Sequence, residues 1–256
     1  MSWPQFIILI RVQLIFTVVE KNELKPWQKE RWCVPKASAK YVAKMEDVLE
    51  VYARPFDPDY PVVCLDEGRK ELRSSVAPDL EMAPGRPQKE DYEYERNGAV
   101  SLFVAFEPMA GRRELKVTDQ RTALEYAQFV KDLVDTHYPE AKKVVLVQDN
   151  LNTHTPASLY SAFEPREARR ICERLEWHYT PEHASWLNMA ELELAALATQ
   201  CLNKRMGNKA EVELETLAWK QQRNALEVKA RWTFTTQQAR VKLKRLYPEP
   251  KVKPST

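Results

Sequence analysis

Two short apolar runs constrain this chain more than anything else in it. Val62-Val63-Cys64-Leu65 and Val144-Val145-Leu146-Val147 carry no polar alternation, the pattern of strands buried on both faces. Each run stops on polar residues with an acid at the tip: Asp66-Glu67 after the first, Gln148-Asp149-Asn150 after the second. Two core strands therefore deliver carboxylates to their C-terminal ends. The chain has 256 residues, 44% of them hydrophobic, enough to build the sizeable core such strands need.

The rest of the chain supplies partners for those strands. Residues 38–52 read as a helix with Tyr41, Val42, Met45, Val48, Leu49 and Tyr52 on one face, ended by "RPFDPDYP". Residues 68–90, rich in Pro, Arg and Glu and without periodicity, read as an exposed excursion. "GAVSLFVAFEP" and "GRRELKVTD" read as strands joined at Met109-Ala110-Gly111, with "DYEYERNG" able to extend the pairing. An amphipathic helix over 120–137 leads into the second buried run, and 156–163 and 166–174 form short helices with Pro near their first turns. "LEWHYT" is a further strand; after the loop "PEHASW" come a long helix over about 187–205 and helices at about 210–229 and 235–247. Antiparallel strands followed by alternating helix and strand is the element order of the ribonuclease-H-like fold. The predicted class is thus α/β, a mixed sheet flanked by helices, with extra C-terminal helices. The expected divisions are 1–60 (an N-terminal segment and helix), 61–206 (the ribonuclease-H-like domain), 207–248 (C-terminal helices packed on it) and 249–256 (a disordered Pro/Lys tail).

Charge and cysteine usage narrow the setting. Basic and acidic residues nearly cancel, 39 against 37, so any basic surface is local. Two clusters qualify, "NKRMGNK" (203–209) and "RVKLKRL" (240–246), each able to contact phosphates but reading first as a solvated helix face. Cys33, Cys64, Cys172 and Cys201 form no C-x-x-C pair, which predicts reduced thiols in a cytoplasmic protein rather than zinc or disulfides. The apolar run 6–19 is broken by Arg11 and Gln13 and falls short of the roughly 20 residues a membrane span needs, so no membrane association is expected. Its abrupt junction with Glu20-Lys21-Asn22-Glu23 fits a truncated or shifted start of a longer protein.

The acids carry the chemistry. If the two buried strands lie side by side and parallel, the tips bearing Asp66 and Asp149 are neighbours, and a helix packed there can add Glu191 or Glu193. Carboxylates that close raise one another's pKa unless divalent cations lie between them, and hard oxygen ligands favour Mg2+ or Mn2+ over zinc. Two such ions about 3.5–4 Å apart serve in-line displacement at a phosphodiester. The blander reading makes Asp149 a turn residue and Glu191 and Glu193 ordinary acids near a helix start. The two glutamates point about 200° apart, so one alone faces the site, and the wheel selects weakly between them. His154, five residues beyond Asp149, either touches a phosphate, orients a water, or bonds to backbone as a loop histidine. Trp186 and Tyr179 flank the loop before Glu191, as stacking surfaces for an unpaired base or as core residues.

The ordered set "VVCLDE", "DYEYERNG", "VVLVQDNLNTHTPASLYSAFEP", "HYTPEHASWLNMAELE" and "FTTQQARVKLKRLYP" resembles bacterial insertion-sequence transposases of the mariner-related superfamily, the six-thirty group, over about residues 22–248. The resemblance implies a DDE triad of Asp66, Asp149 and Glu191 binding two Mg2+ or Mn2+ ions, with Glu191 selected by its Leu187-Asn188-Met189-Ala190-Glu191 context. His154 and Asn188 become candidates for supporting those ligands. It further implies cleavage and strand transfer of transposon-end DNA, a homodimer in the active complex, and a location on the nucleoid when bound to DNA. Two departures stand out. Gly68 follows Asp66-Glu67 where a small hydroxyl residue is expected, and no helix-turn-helix pattern precedes Glu23. These motivate a second expectation, an inactive remnant that retains at most DNA binding or oligomerisation. A stand-alone structure-selective nuclease fits the acids but not the ordered motifs.

Overall fold

The computed structural model of the protein describes residues 37–249 except 79, 88, 90 and 91. The apolar run 6–19, Cys33 and the tail beyond 249 lie outside the described residues. From Lys36 onward the described residues belong to one compact unit.

Five strands, β1 (Val62–Ser75), β2 (Tyr94–Glu107), β3 (Arg112–Thr118), β4 (Val144–Gln148) and β5 (Leu175–Tyr179), form a single sheet in the order β3-β2-β1-β4-β5. The first three are antiparallel, and β4 and β5 join them in parallel. This is the mixed sheet expected of a ribonuclease-H-like core. The hairpin turns where the sequence placed it, with Gly111 at φ 69°, a conformation in which its hydrogen spares a clash: a Cβ there would stand 2.7 Å from the Glu227 backbone.

Helices cover both faces. Helix α1 (Ala39–Tyr52), capped by Ser38, buries Tyr41, Met45, Val48, Leu49 and Tyr52 against Cys64, Val145 and Val147. Helix α2 (Ala123–Asp132) covers the opposite face with Tyr126, Ala127, Phe129 and Val130 packed on Val63, Leu65, Phe103 and Leu146. Its last turn, Leu133–His137, widens to π geometry, so the expected helix over 120–137 is α-helical only in its middle. The short helices α3 (Pro156–Ala162) and α4 (Pro165–Glu173) begin on prolines and lead to β5. Helices α5 (Ala190–Gln200) and α6 (Lys209–Ala225) cover the β2 side, where Leu197, Val212 and Trp219 meet Leu72, Leu102 and Val104. Helix α7 (Thr236–Lys242) returns to α1, adding Ala239 to its cluster.

Two expectations need correction. The exposed excursion is shorter than 68–90, because β1 runs on to Ser75, pairing Gly68 with Leu102 and Ser75 with Tyr94 across a bulge between Glu71 and Arg73. This half of the strand buries little beyond Leu72, and its charged side chains read as loop. The long helix is also shorter than 187–205: residues Ser185–Leu187 form a 3-10 turn, and the Asn188 side chain takes the Ala190 amide (3.1 Å), so α5 starts at Ala190. Among the described residues, no helix is long and apolar enough to cross a membrane.

Candidate active site

The site forms where β4 ends against the middle of β1: Asp149 follows the last residue of β4 as expected, but Asp66 lies inside β1, which continues to Ser75 paired with β2 rather than stopping at its acids. The register of β1 with β4 pairs Cys64 with Val147, and two further residues along each chain bring Asp66 beside Asp149. The pleat assigns the faces. Asp66 shares parity with Cys64 and points to the α1–α5 side, whereas Glu67 shares parity with Leu65 and points to the α2 side.

On the α5 side, Asn188 holds the parts together. Its buried amide donates to the Leu65 carbonyl (2.9 Å) and to Asp66 Oδ2 (3.1 Å), while its oxygen accepts from the first amide of α5. Tyr52 supports the same corner from α1, donating to the Leu187 carbonyl at 2.7 Å. Glu191, in the first turn of α5, is largely exposed and lies close enough to the aspartates to feel their charges. Burial, then the nearby Asp149 charge, raises its carboxyl above the usual range. Asp66 is pushed up to about 7, first by burial and then by Glu191, Asp149 and Glu67, against the pull of the Glu67 amide.

Asp149 is treated differently. Burial works against its charge, yet hydrogen bonding and charge from His154, with the Leu151 amide and Arg121 adding to them, hold its carboxyl below the usual range. His154 is fully buried: Nδ1 lies 2.6 Å from Asp149 Oδ1 and Nε2 lies 2.8 Å from Glu67 Oε1. Carboxylates only accept, so a ring bonded to two of them donates from both nitrogens as imidazolium. Burial opposes that charge, but the two carboxylates outweigh it and push His154 up to about 9. Among the described residues, no three His, Cys, Asp or Glu side chains stand at ligand spacing. One reason is visible: Asp149 has turned an oxygen to His154.

Glu193 faces elsewhere. It is buried against Arg113 (2.9 Å, an ion pair without a well-aligned N–H) and takes two hydrogen bonds from Arg223 (2.8 and 3.1 Å). Of the two glutamates on α5, Glu191 alone borders the aspartates.

Other candidates separate from the site. His178 bonds Asp47 (2.7 Å) and Glu176 (2.9 Å), tying β5 to α1. Tyr179 lies half-buried under Lys44, which also bonds Asn150, and half-exposed Trp186 stacks on Trp232 and meets the edge of Phe234. In the first basic cluster Lys204 pairs with Glu215 and Lys209 with Asp119; in the second, Arg240 pairs with Glu46. Cys64 and Cys201 are buried free thiols, and Cys172 is partly buried. Sequence reasoning missed Glu67 as part of the site. The DE pair after an apolar strand was the available signal, because adjacent acids on a pleated strand must serve opposite faces.

Comparison with known proteins gives a family and a fold. A family model described as DDE superfamily endonuclease matches residues 61–213. No curated protein matches. Among solved structures, the Mos1 mariner paired-end complex with Mg has 17% identity and a TM-score of 0.53, covering 87% of this chain and 67% of that one. The Mos1 transposase paired-end complex with left transposon end has 16% identity and a TM-score of 0.50, covering 84% and 66%. The Mos1 strand transfer complex likewise has 16% identity and a TM-score of 0.50, covering 84% and 65%. At these identities the likeness is one of fold. The chain spans between 65% and 67% of the length of these solved chains.

Proposed function

The chain belongs to the DDE superfamily endonucleases, and from that premise we propose that it is the catalytic domain of a transposase, cutting and joining transposon-end DNA with two divalent cations. The single observation that carries this reading is the convergence of Asp66, Asp149 and Glu191 at one strand-and-helix corner, with no ion pair to Asp66 or Glu191 among the described residues. A structural acid in this molecule is neutralised, as Glu193 is by two arginines. Carboxyls held above their normal pKa by burial and then by one another's charge fit a site built to receive Mg2+ or Mn2+.

Asp66, Asp149 and Glu191 would hold the ions through their oxygens. Bound there, such ions supply charge neutralisation at the phosphate and a stronger oxygen nucleophile at neutral pH. The chain's own part is placement. Asn188 fixes Asp66 relative to α5, and Asp149 stays partly exposed with the Arg121 charge nearby. First-strand hydrolysis would use water, and strand transfer would use the 3′ hydroxyl that hydrolysis releases. Two copies are needed to hold two ends at once, which makes a homodimer the working form.

The test is nicking of labelled element-end DNA by this chain in Mg2+ or Mn2+. Asp149→Ala should lower the rate roughly a thousandfold, the effect of losing about 4 kcal/mol of transition-state stabilisation. A rate untouched by the substitution refutes the assignment. Absence of nicking by the unmodified chain as well supports the inactive remnant instead.

A further inference from the structure

Asp66 and Glu67 are consecutive, yet they serve opposite faces of the sheet. Glu67 drops to the α2 side, where its side chain is 1% exposed and its Oε1 meets His154 Nε2 at 2.8 Å. Its other oxygen is buried without a partner among the described residues, so the imidazole is its one neutralising contact there. The ring itself has little freedom. It packs on Tyr126 (centroids 4.7 Å apart), and its backbone is held by Leu151 and by Gln148, which Tyr126 in turn fixes at 2.8 Å. From this fixed position Nδ1 reaches Asp149 Oδ1 at 2.6 Å.

We propose that Glu67 and His154 are positioning residues for Asp149: anchored beneath the sheet, the ring donates to one carboxylate oxygen, sets the side-chain rotamer and leaves the other oxygen for a divalent cation. The proposal rests on the metal-site reading above and adds to it. The middle of β1 and the end of β4 are tied twice, by the backbone ladder and by Glu67–His154–Asp149, so the separation of Asp66 from Asp149 is fixed before any ion binds. A ligand held in one rotamer loses less freedom on binding an ion than one that must be ordered.

Two replacements of His154 separate positioning from bulk stability. The amide nitrogen of Asn overlays Nδ1 and can still donate to Asp149, whereas that of Gln overlays Nε2 and keeps only the Glu67 contact. Mn2+ affinity is measured on the full chain without DNA, by electron paramagnetic resonance of free Mn2+, alongside thermal melting. His154→Gln should weaken Mn2+ binding between 10- and 100-fold, roughly the range for lost supporting contacts, and His154→Asn should recover most of that loss. Glu67→Gln conserves volume, and is expected to weaken binding by about tenfold if it costs the ring its anchor. The nicking rate should fall in step with affinity in His154→Gln and Glu67→Gln and recover at high Mn2+, unlike in Asp149→Ala.

If Asp149→Ala weakens Mn2+ binding but His154→Gln and Glu67→Gln leave it unchanged, the positioning role is overturned and the metal site stands. Equal loss in His154→Asn and His154→Gln, tracking their melting temperatures, overturns it in favour of packing alone. Should both His154 variants fail to fold, the affinity of Glu67→Gln decides. Unchanged affinity in Asp149→Ala overturns the positioning role together with the metal site.

Discussion

Glu191 and Glu193 lie two residues apart on one helix and are handled in opposite ways. Glu193 is buried and matched by Arg113 and Arg223; Glu191 is exposed and bordered by two aspartates with its carboxyl raised above its usual pKa. The protein has the arginines to neutralise an acid and deploys them where the acid joins α5 to β3 and α6. Where Asp66, Asp149 and Glu191 meet, it leaves negative charge to accumulate. The contrast separates an acid that holds the fold from one that the proposed function assigns to a cation.

The largest effect that tests this contrast is on stability. Glu193→Ala would strand the fully buried Arg113 and should cost about 3–5 kcal/mol in urea unfolding. Glu191→Ala should change stability by no more than about 0.5 kcal/mol while abolishing nicking. Comparable losses from both would erase the distinction.

A smaller effect appears with pH in the metal-free protein. Asp66 binds its proton more tightly folded than unfolded, so its contribution to stability is full below about 3.8 and is lost as pH rises to about 7. His154 also has a raised value, so its contribution is full below about 6.5 and is lost as pH rises through about 9. Melting temperature should therefore decline in two stages. Mg2+ should flatten the first, because the ion rewards the ionised carboxylate that the empty site penalises, and His154→Asn should flatten the second. A first stage insensitive to Mg2+ counts against the cation role of Asp66.

The smallest effect concerns Gly68, where β1 passes beneath α5. A Cβ there would stand 2.9 Å from Leu194 Cδ2, the mobile end of a side chain, so Gly68→Ala should cost only about 1 kcal/mol and leave metal affinity intact. Weakened Mn2+ binding would show that α5, and Glu191 with it, had moved.

Much of this was legible in the sequence because the relevant signals are local. The two buried runs are β1 and β4, and their parallel pairing puts Asp66 beside Asp149 as strand order required. What escaped depends on partners remote in sequence. Glu67 acquires its meaning from His154, 87 residues away, and no spacing rule connects them. The outer half of β1 looked irregular because its polar residues pair with β2 while only Leu72 is deeply buried. Glu193 looked like a surface acid, since an ion pair inside a helix interface is indistinguishable on a helical wheel from a solvated charge. The choice of Glu191 came from motif context, and the physical reason emerged only with Arg113 and Arg223 in place.

The pleat at Asp66-Glu67 has one more consequence, for how such a chain can change over time. Losing or gaining a single residue in β1 ahead of this pair would exchange the two acids between faces, putting the ion ligand under the sheet and the histidine's anchor above it. No intermediate register preserves half of the arrangement. Length variation is accordingly least tolerable within 62–67 and most tolerable in the exposed connection between β1 and β2, so insertions in related chains should collect there rather than upstream of the acids.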